Sequence, residues 1–465
     1  MVFSSILFLW LFLPITIIGY YLIRDKYRNV LLLIASLIFY AWGEPVYILL
    51  MLLSVLVNWL AGLLIDKNPK HKKLILAADI IFNVGVLGYY KYFNFLIDTV
   101  NNIFHTSLDH KEISLPIGIS FFTFQILSYV IDLYRGEYKA QKNVINLALY
   151  ISFFPQLIAG PIVKYRDINE QLQNRKLTFD KMATGIRRFM YGLSKKVIIA
   201  NTLAKTVDQI YGLDKQDLTG WMAWMAAIFY TLQIYYDFSG YSDMAIGLGK
   251  MFGFEFQENF LYPYTSYSIQ DFWRKWHISL SSWFREYIYI PLGGNRKGNF
   301  RTYLNLSIVF FVTGLWHGAG ITFILWGLYH GFFSILERLG LKNFFEKYKS
   351  IGHIYALLIV NFGWVLFRAD TIGQALSFVK RMILPWKYTH TSVIYQEMIP
   401  TSVVFLAFAG IIGSGLIQNQ KLAEKCNINR LKFSYLELVL CSALFIICIS
   451  LLASNSYNPF IYFRF

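Results

Sequence analysis

The sequence predicts an all-α, polytopic membrane protein on three observations. Its 465 residues are 56% hydrophobic and 18% aromatic but only 15% charged, whereas a soluble domain averages about 25% charged residues. Apolar runs long enough to span recur along the chain, a helix needing about 20 such residues to cross a bilayer. Between them lie short basic loops, the pattern of cytoplasmic charge in membrane proteins. The runs give about ten to twelve crossings, with re-entrant elements among them.

Charge and cysteine content narrow the function classes. Lys and Arg number 43 against 27 Asp and Glu, a net +16. A nucleic-acid binder gathers such charge on one soluble face; here it is spread over loops. It therefore fits positive-inside topology and anionic lipid headgroups, so the bilayer is a partner and nucleic acid is not. The three cysteines, Cys426, Cys441 and Cys448, lie near the C-terminus and make no disulfide framework. Cys441 and Cys448 stand in an apolar run and are expected to pack rather than react.

Taken in order, the first run, Val2 to Ile23, lacks a basic n-region and a small-residue cleavage site, and reads as a retained helix. Arg24 to Arg28 follows as a cytoplasmic loop, leaving the N-terminus outside. A second run ends at Trp42 and turns at Gly43-Glu44-Pro45. A third, Val46 to Ile65, ends in the basic stretch Lys67 to Lys73, so two successive loops agree. A fourth reaches Phe104 and a fifth returns to Arg135. The run Val144 to Val163 is long enough to span, but crossing would put the basic block Lys164 to Lys196 outside. Pro155 and Pro161 interrupt it. Irregular backbone at membrane depth survives only where protein or a cavity covers it, which predicts a re-entrant or hairpin element lining a cytoplasmic funnel.

Val197 to Tyr211, short and carrying Asn201, Lys205 and Asp208, should face protein. Trp221 to Tyr236 leads into a central region. Beyond it come a basic loop, Glu337 to Lys349, and spans near 351–367, 402–416 and 433–452. The basic loop 421–432 places Phe465 outside, and 368–400 is an extracytoplasmic, partly amphipathic connection carrying Trp386. No repeat of 20 to 50 residues is visible. The chain reads as one integral membrane domain, 1–465: N-terminal helices 1–235, a central catalytic region 236–336 and C-terminal helices 337–465.

The central region concentrates polar groups. Ser268-Ile269-Gln270-Asp271 has the form of a capping box and starts a helix at Ile269. On it Trp273, His277, Leu280 and Phe284 share one face, and Arg274, Ile278, Ser281 and Arg285 another. The cluster Pro291 to Arg296 ends it. An arm from Tyr303 climbs to Trp316, and a second descends from Ile321 to Leu336. Each is short for a crossing, which places His317 at or above mid-membrane beside Gly318-Ala319-Gly320. His277 and His317 lie 40 residues apart and each follows a Trp. An ionisable group at membrane depth is by default a functional hypothesis, although spacing alone equally allows packed core histidines. No HExxH or Cys/His cluster marks a metal site, and no G-x-S-x-G elbow appears. A neutral imidazole suits general-base activation of a hydroxyl that attacks an activated acyl group.

Several stretches together resemble the membrane-bound O-acyltransferase (MBOAT) family. They are Asp237-Phe238-Ser239-Gly240-Tyr241-Ser242-Asp243, Asn259 to Tyr264, Trp273 to His277, Trp283 to Tyr287 and Gly314-Leu315-Trp316-His317-Gly318. Met1 to Ser5 and Phe153 to Pro161 are similar to its bacterial alginate O-acetylation branch. The resemblance implies a ring of helices around a central reaction tunnel in a bacterial inner membrane, with His317 the principal catalytic residue and His277 the second. Candidate substrate contacts are Arg274, Arg285, Asp243 and Trp316. It further implies no bound cofactor, acetyl-CoA as donor, an extracytoplasmic esterase-like acetyltransferase as partner and a polysaccharide as acceptor. D-alanyl transfer to teichoic acid is the alternative within the family. A transporter or flippase with a histidine proton relay is the alternative of another class, although no inverted repeat supports it.

Overall fold

Every regular element among the described residues is helical. The computed structural model describes residues 1–416, 435–454 and 457–461; Cys426, the basic loop at 421–432 and Phe465 lie outside them. The chain divides into two compact units, Met1–Phe189 with Tyr241–Gln257 and Met190–Gly240 with Glu258–Phe465.

The first unit holds α1 (Leu13–Leu22), α2 (Arg28–Ala41), α3 (Tyr47–Lys67), α4 (Lys72–Leu87), α5 (Phe93–Phe104), α6 (Ile119–Arg135), α7 (Val144–Ser152), α8 (Phe154–Leu157) and α9 (Tyr165–Gln173). Helices α10 (Phe179–Ser194) and α12 (Gly220–Met251) contribute residues to both units, and α11 (Asn201–Tyr211) belongs to the second. The second unit continues with α13 (Ile269–Lys275), α14 (Ile278–Phe284), α15 (Gly298–His317), α16 (Ile321–Leu336), α17 (Lys342–Lys347) and α18 (Lys349–Arg368). It ends with α19 (Ile372–Ile383), α20 (Tyr395–Met398), α21 (Thr401–Ile411) and α22 (Tyr435–Ser454).

Among the described residues four helical runs are long and apolar enough to cross a membrane: Tyr47–Lys67, Lys72–Phe104, Lys349–Arg368 and Tyr435–Ser454. Phe8–Leu22 and Thr401–Gly415 are shorter apolar helices. The composition and these helices make the chain a multi-pass membrane protein. Sequence and structure differ at α12, where the run expected to stop at Tyr236 continues to Met251 and carries the whole Asp237 to Asp243 motif inside one helix. No Pro interrupts it, and Phe238, Tyr241 and Met244 are all buried.

In the first unit α3, α4 and α6 pack together. Asn58 on α3 and Asn83 on α4 exchange amide hydrogen bonds of 3.1 and 3.0 Å, since polar groups within apolar helices must find partners. The interruption expected in Val144 to Val163 is present. α7 ends after nine residues, Pro155 occupies the first turn of α8, and the chain runs without helix to Lys164, buried throughout. Its backbone is satisfied locally: Tyr150 donates to the Val163 carbonyl at 2.9 Å, and the Phe154 N–H donates to Ser36 Oγ at 3.1 Å.

In the second unit α15 and α16 form a hairpin whose backbones touch. A Cβ on Gly314 would lie 2.5 Å from the Phe323 carbonyl oxygen, and one on Gly327 would lie 2.2 Å from that of Phe310. Only glycine permits this approach. α15 begins at Gly298 and runs 20 residues, five earlier than the arm read from Tyr303, so at about 1.5 Å per residue it is as long as a bilayer core is thick. Helix α18 packs on α16 and α13. Lys196, the last cation of the basic block, is buried and pairs with Asp237 at 2.6 Å. It also donates to the Pro459 carbonyl, while Asp237 accepts the Ile461 N–H at 2.8 Å, so a buried ion pair ties the C-terminal residues to α12. Cys448 is fully buried against Ser194, as the apolar run implied, and Cys441 is partly buried. Trp386 lies exposed just beyond α19.

Candidate active site

Periodicity puts Trp273, His277, Leu280 and Phe284 on one helical face, but the structure breaks that helix at His277. α13 ends at Lys275, Trp276 is extended, and His277 adopts left-handed backbone angles (φ 44°, ψ 56°) before α14 resumes. A non-glycine residue held there costs about 1–3 kcal/mol and persists only where its surroundings over-determine it. Those surroundings are residues 259–261. The Ile278 N–H donates to the Asn259 carbonyl and the Leu261 N–H to the Lys275 carbonyl, each at 3.0 Å. Periodicity cannot show a break made by a segment from elsewhere in the chain.

Asn259 also fixes the imidazole. Its Oδ1 accepts from the Ser279 N–H at 3.3 Å and from Ser279 Oγ at 2.9 Å, which identifies it as the acceptor end of the amide. His277 Nδ1 lies 3.1 Å from the same oxygen and 3.4 Å from Ser279 Oγ, an arrangement that a protonated Nδ1 satisfies. Nε2 is left as the basic nitrogen, buried and without a hydrogen-bond partner among the described residues. The His277 ring is fully buried against Phe238 at 4.6 Å and Trp316 at 6.0 Å.

His317 closes α15 and is 5% exposed. Its ring packs edge-on against Trp316 and Trp326, both at 4.9 Å, and against Phe367 at 5.3 Å. Trp316 therefore neighbours both histidines. Trp326 in turn touches His330, 5.2 Å away and fully buried. The structure thus brings His277, Trp316 and His317 into one aromatic core and adds His330, which sequence reading gave no role. The signal for Asn259 was its place in the stretch Asn259 to Tyr264; His330 offered only its position at the end of the descending arm.

Beside this core lies a cavity of about 750 Å³. Trp273, which packs on His330 at 5.4 Å, forms part of its wall. Arg274, Arg285, Arg296, Lys297 and Arg338 line it, and no acidic residue among the described residues does. The neighbouring Asp271 and Glu286 would be the natural ion-pair partners of Arg274 and Arg285. Instead Lys275 takes Asp271 at 2.8 Å, and neither arginine makes an ion pair with a described acidic residue.

The helix presenting Trp273 and Arg274 is capped from two directions. Ser268 Oγ accepts the Asp271 N–H at 3.0 Å, as the sequence predicts. Glu337, distant in sequence, accepts the Ile269 and Gln270 N–H groups at 2.5 and 3.0 Å. Burial raises the Glu337 carboxyl above its ordinary range, and those two N–H groups partly offset the shift. Asp243 belongs to the first unit, where Arg188 holds it through contacts of 2.8 and 3.0 Å.

The sequence profile of the membrane-bound O-acyltransferase family matches residues 139–372, which contain both histidines and the cationic cavity. The chain belongs to this family. This acyltransferase is 41% identical over 490 residues to a probable alginate O-acetylase, AlgI, of Pseudomonas putida, covering 100% of both chains. It is 44% identical over 438 residues to that of Pseudomonas aeruginosa, covering 91% of this chain and 84% of the relative. To a peptidoglycan O-acetyltransferase of Helicobacter pylori it is 37% identical over 422 residues, 82% of this chain and 80% of the other.

Proposed function

We propose that this acyltransferase takes acetyl from acetyl-CoA on the cytoplasmic side of a bacterial inner membrane and passes it outward for O-acetylation of an extracytoplasmic polysaccharide. The observation that carries this reading is the pairing of a buried histidine core with an adjoining cavity that, among the described residues, is lined by five cations and no acid. The cavity suits the phosphates of the donor, with Arg274 and Arg285 as contacts. His317 acts as general base: it takes the proton of the acceptor hydroxyl as that oxygen attacks the thioester carbonyl. The C–S bond then breaks and the imidazolium returns the proton to the departing thiolate. His277, whose unprotonated Nε2 can only accept a hydrogen bond, orients the attacking hydroxyl. The hydroxyl belongs to the polysaccharide or to an esterase-like partner that relays acetyl to it.

The test is transfer of labelled acetyl by protein in proteoliposomes, with glycan O-acetyl content measured by mass spectrometry in a deletion strain complemented with wild type or His317→Ala. The variant should bind donor and transfer nothing, and retained turnover removes His317 from the mechanism. Transfer from a D-alanyl carrier thioester, with none from acetyl-CoA, would move the donor to the aminoacyl class.

A further inference from the structure

The second unit holds another cavity, of about 260 Å³, that the acyl-transfer chemistry above does not use. One face of α11 supplies Asn201, Lys205 and Gln209, spaced four residues apart; Glu397 and Tyr457 stand among its other polar lining residues, with hydroxyls from Thr202, Thr206 and Ser402. Val403, Leu451 and Leu452 form an apolar side. The first turn of α21 and the last turn of α22 both meet here, and the charge pattern of the sequence assigns those two ends to the outer face.

Its chemistry differs from that of the cationic cavity. Lys205 and Glu397 both line it, yet neither forms an ion pair with a described residue. Asn201 donates to Asn458 at 3.0 Å while its buried Oδ1 has no partner among the described residues. A cation, an anion, two amides and an apolar wall offer donors, acceptors and a surface for C–H groups together, which is what a polyhydroxylated ring requires. A lone phosphate would call for cations only. The volume lies just under the roughly 300 Å³ at which drug-sized ligand sites begin, which suits a single ring.

The cavity is also tied to the histidine core. Tyr457 donates to Asp208, and Arg368 donates to the other oxygen of the same carboxylate at 2.5 Å. Arg368 is 7% exposed, with Nε and Nη1 lacking partners among the described residues. The residue before it, Phe367, packs on His317 at 5.3 Å.

We propose that this pocket is a carbohydrate subsite that holds one sugar unit of the acceptor glycan. The proposal rests on the reading of the chain as a glycan O-acyltransferase. Its test is binding of an oligomannuronate trisaccharide to the full-length protein in phosphatidylcholine nanodiscs, without acyl donor, followed by saturation-transfer NMR. Lys205 and Gln209 are exposed, so a Lys205→Gln/Gln209→Ala variant should fold, and thermal unfolding checks this. Wild type should bind, and the double variant should bind at least tenfold more weakly, with the acceptor KM raised and the donor KM unchanged. Equal binding by both proteins, no binding by wild type, or displacement of the sugar by glycerophosphocholine would each overturn the subsite, the last pointing to a lipid headgroup. Acetyl transfer is measured in parallel. Transfer with a normal acceptor KM in the double variant sinks the subsite and leaves the acyltransferase reading intact; Lys205-dependent binding without transfer from any acyl donor does the reverse.

Discussion

Replacing Asn259 by Ala should disable the site without touching either histidine. The Asn259 side chain accepts from His277 Nδ1 at 3.1 Å, from the Ser279 N–H at 3.3 Å and from Ser279 Oγ at 2.9 Å. Truncation removes the acceptor shared by two buried N–H groups, at about 1–3 kcal/mol each, and leaves Ser279 Oγ, 3.4 Å from Nδ1, as a weaker neighbour. The left-handed His277, already strained by about 1–3 kcal/mol, loses its side-chain brace, so the local fold is expected to relax toward a continuous helix. His277 would then turn, and the tautomer with basic Nε2 would no longer be selected. Loss of a positioned acid–base group lowers rates by about 10²–10⁴-fold, and a fall in acetyl transfer of at least 100-fold is expected. Ser279→Ala removes the hydroxyl partner alone and should cost only about 1 kcal/mol with most activity kept. The assay pairs transfer in proteoliposomes with ¹⁵N NMR of labelled histidine, which should find the His277 proton on Nδ1 in wild type. A wild-type signal with the proton on Nε2, or an Asn259→Ala enzyme with near-normal turnover, would refute the reasoning.

Two further outcomes follow from the same geometry. Gly327→Ala places a methyl group 2.2 Å from the Phe310 carbonyl oxygen; the α15–α16 hairpin must spread, at about 1–3 kcal/mol, and His317 should shift enough to lower turnover about 100-fold, read as a lower Tm together with lost activity. Asp237→Asn leaves Lys196 charged and buried at 2% exposure, which should destabilise by about 3–5 kcal/mol; because Asp237 also holds Ile461, faster proteolysis of the C-terminal residues in the variant is the second readout.

The sequence by itself determined that the chain is helical and membrane-embedded, because burial in lipid demands long apolar runs and leaves charge to the loops. It also pointed to the stretch Tyr236 to His330 as the candidate site, since ionisable groups at membrane depth are costly. The helix break at Pro155 and the Ser268 cap were legible for a related reason: both are properties of a few consecutive residues. What tertiary structure alone decided are contacts between distant segments. Asn259 breaks a helix that periodicity draws as continuous, and Glu337 caps α13 from 68 residues away. Arg274 and Arg285 gather with three further cations into one cavity, while Asp243 pairs with Arg188 in the other unit. His330, silent in sequence, joins the core only because Gly327 and Gly314 let two helix backbones touch. Local rules set which elements form; which polar groups meet depends on where the helices pack, and one chain read in order does not carry that.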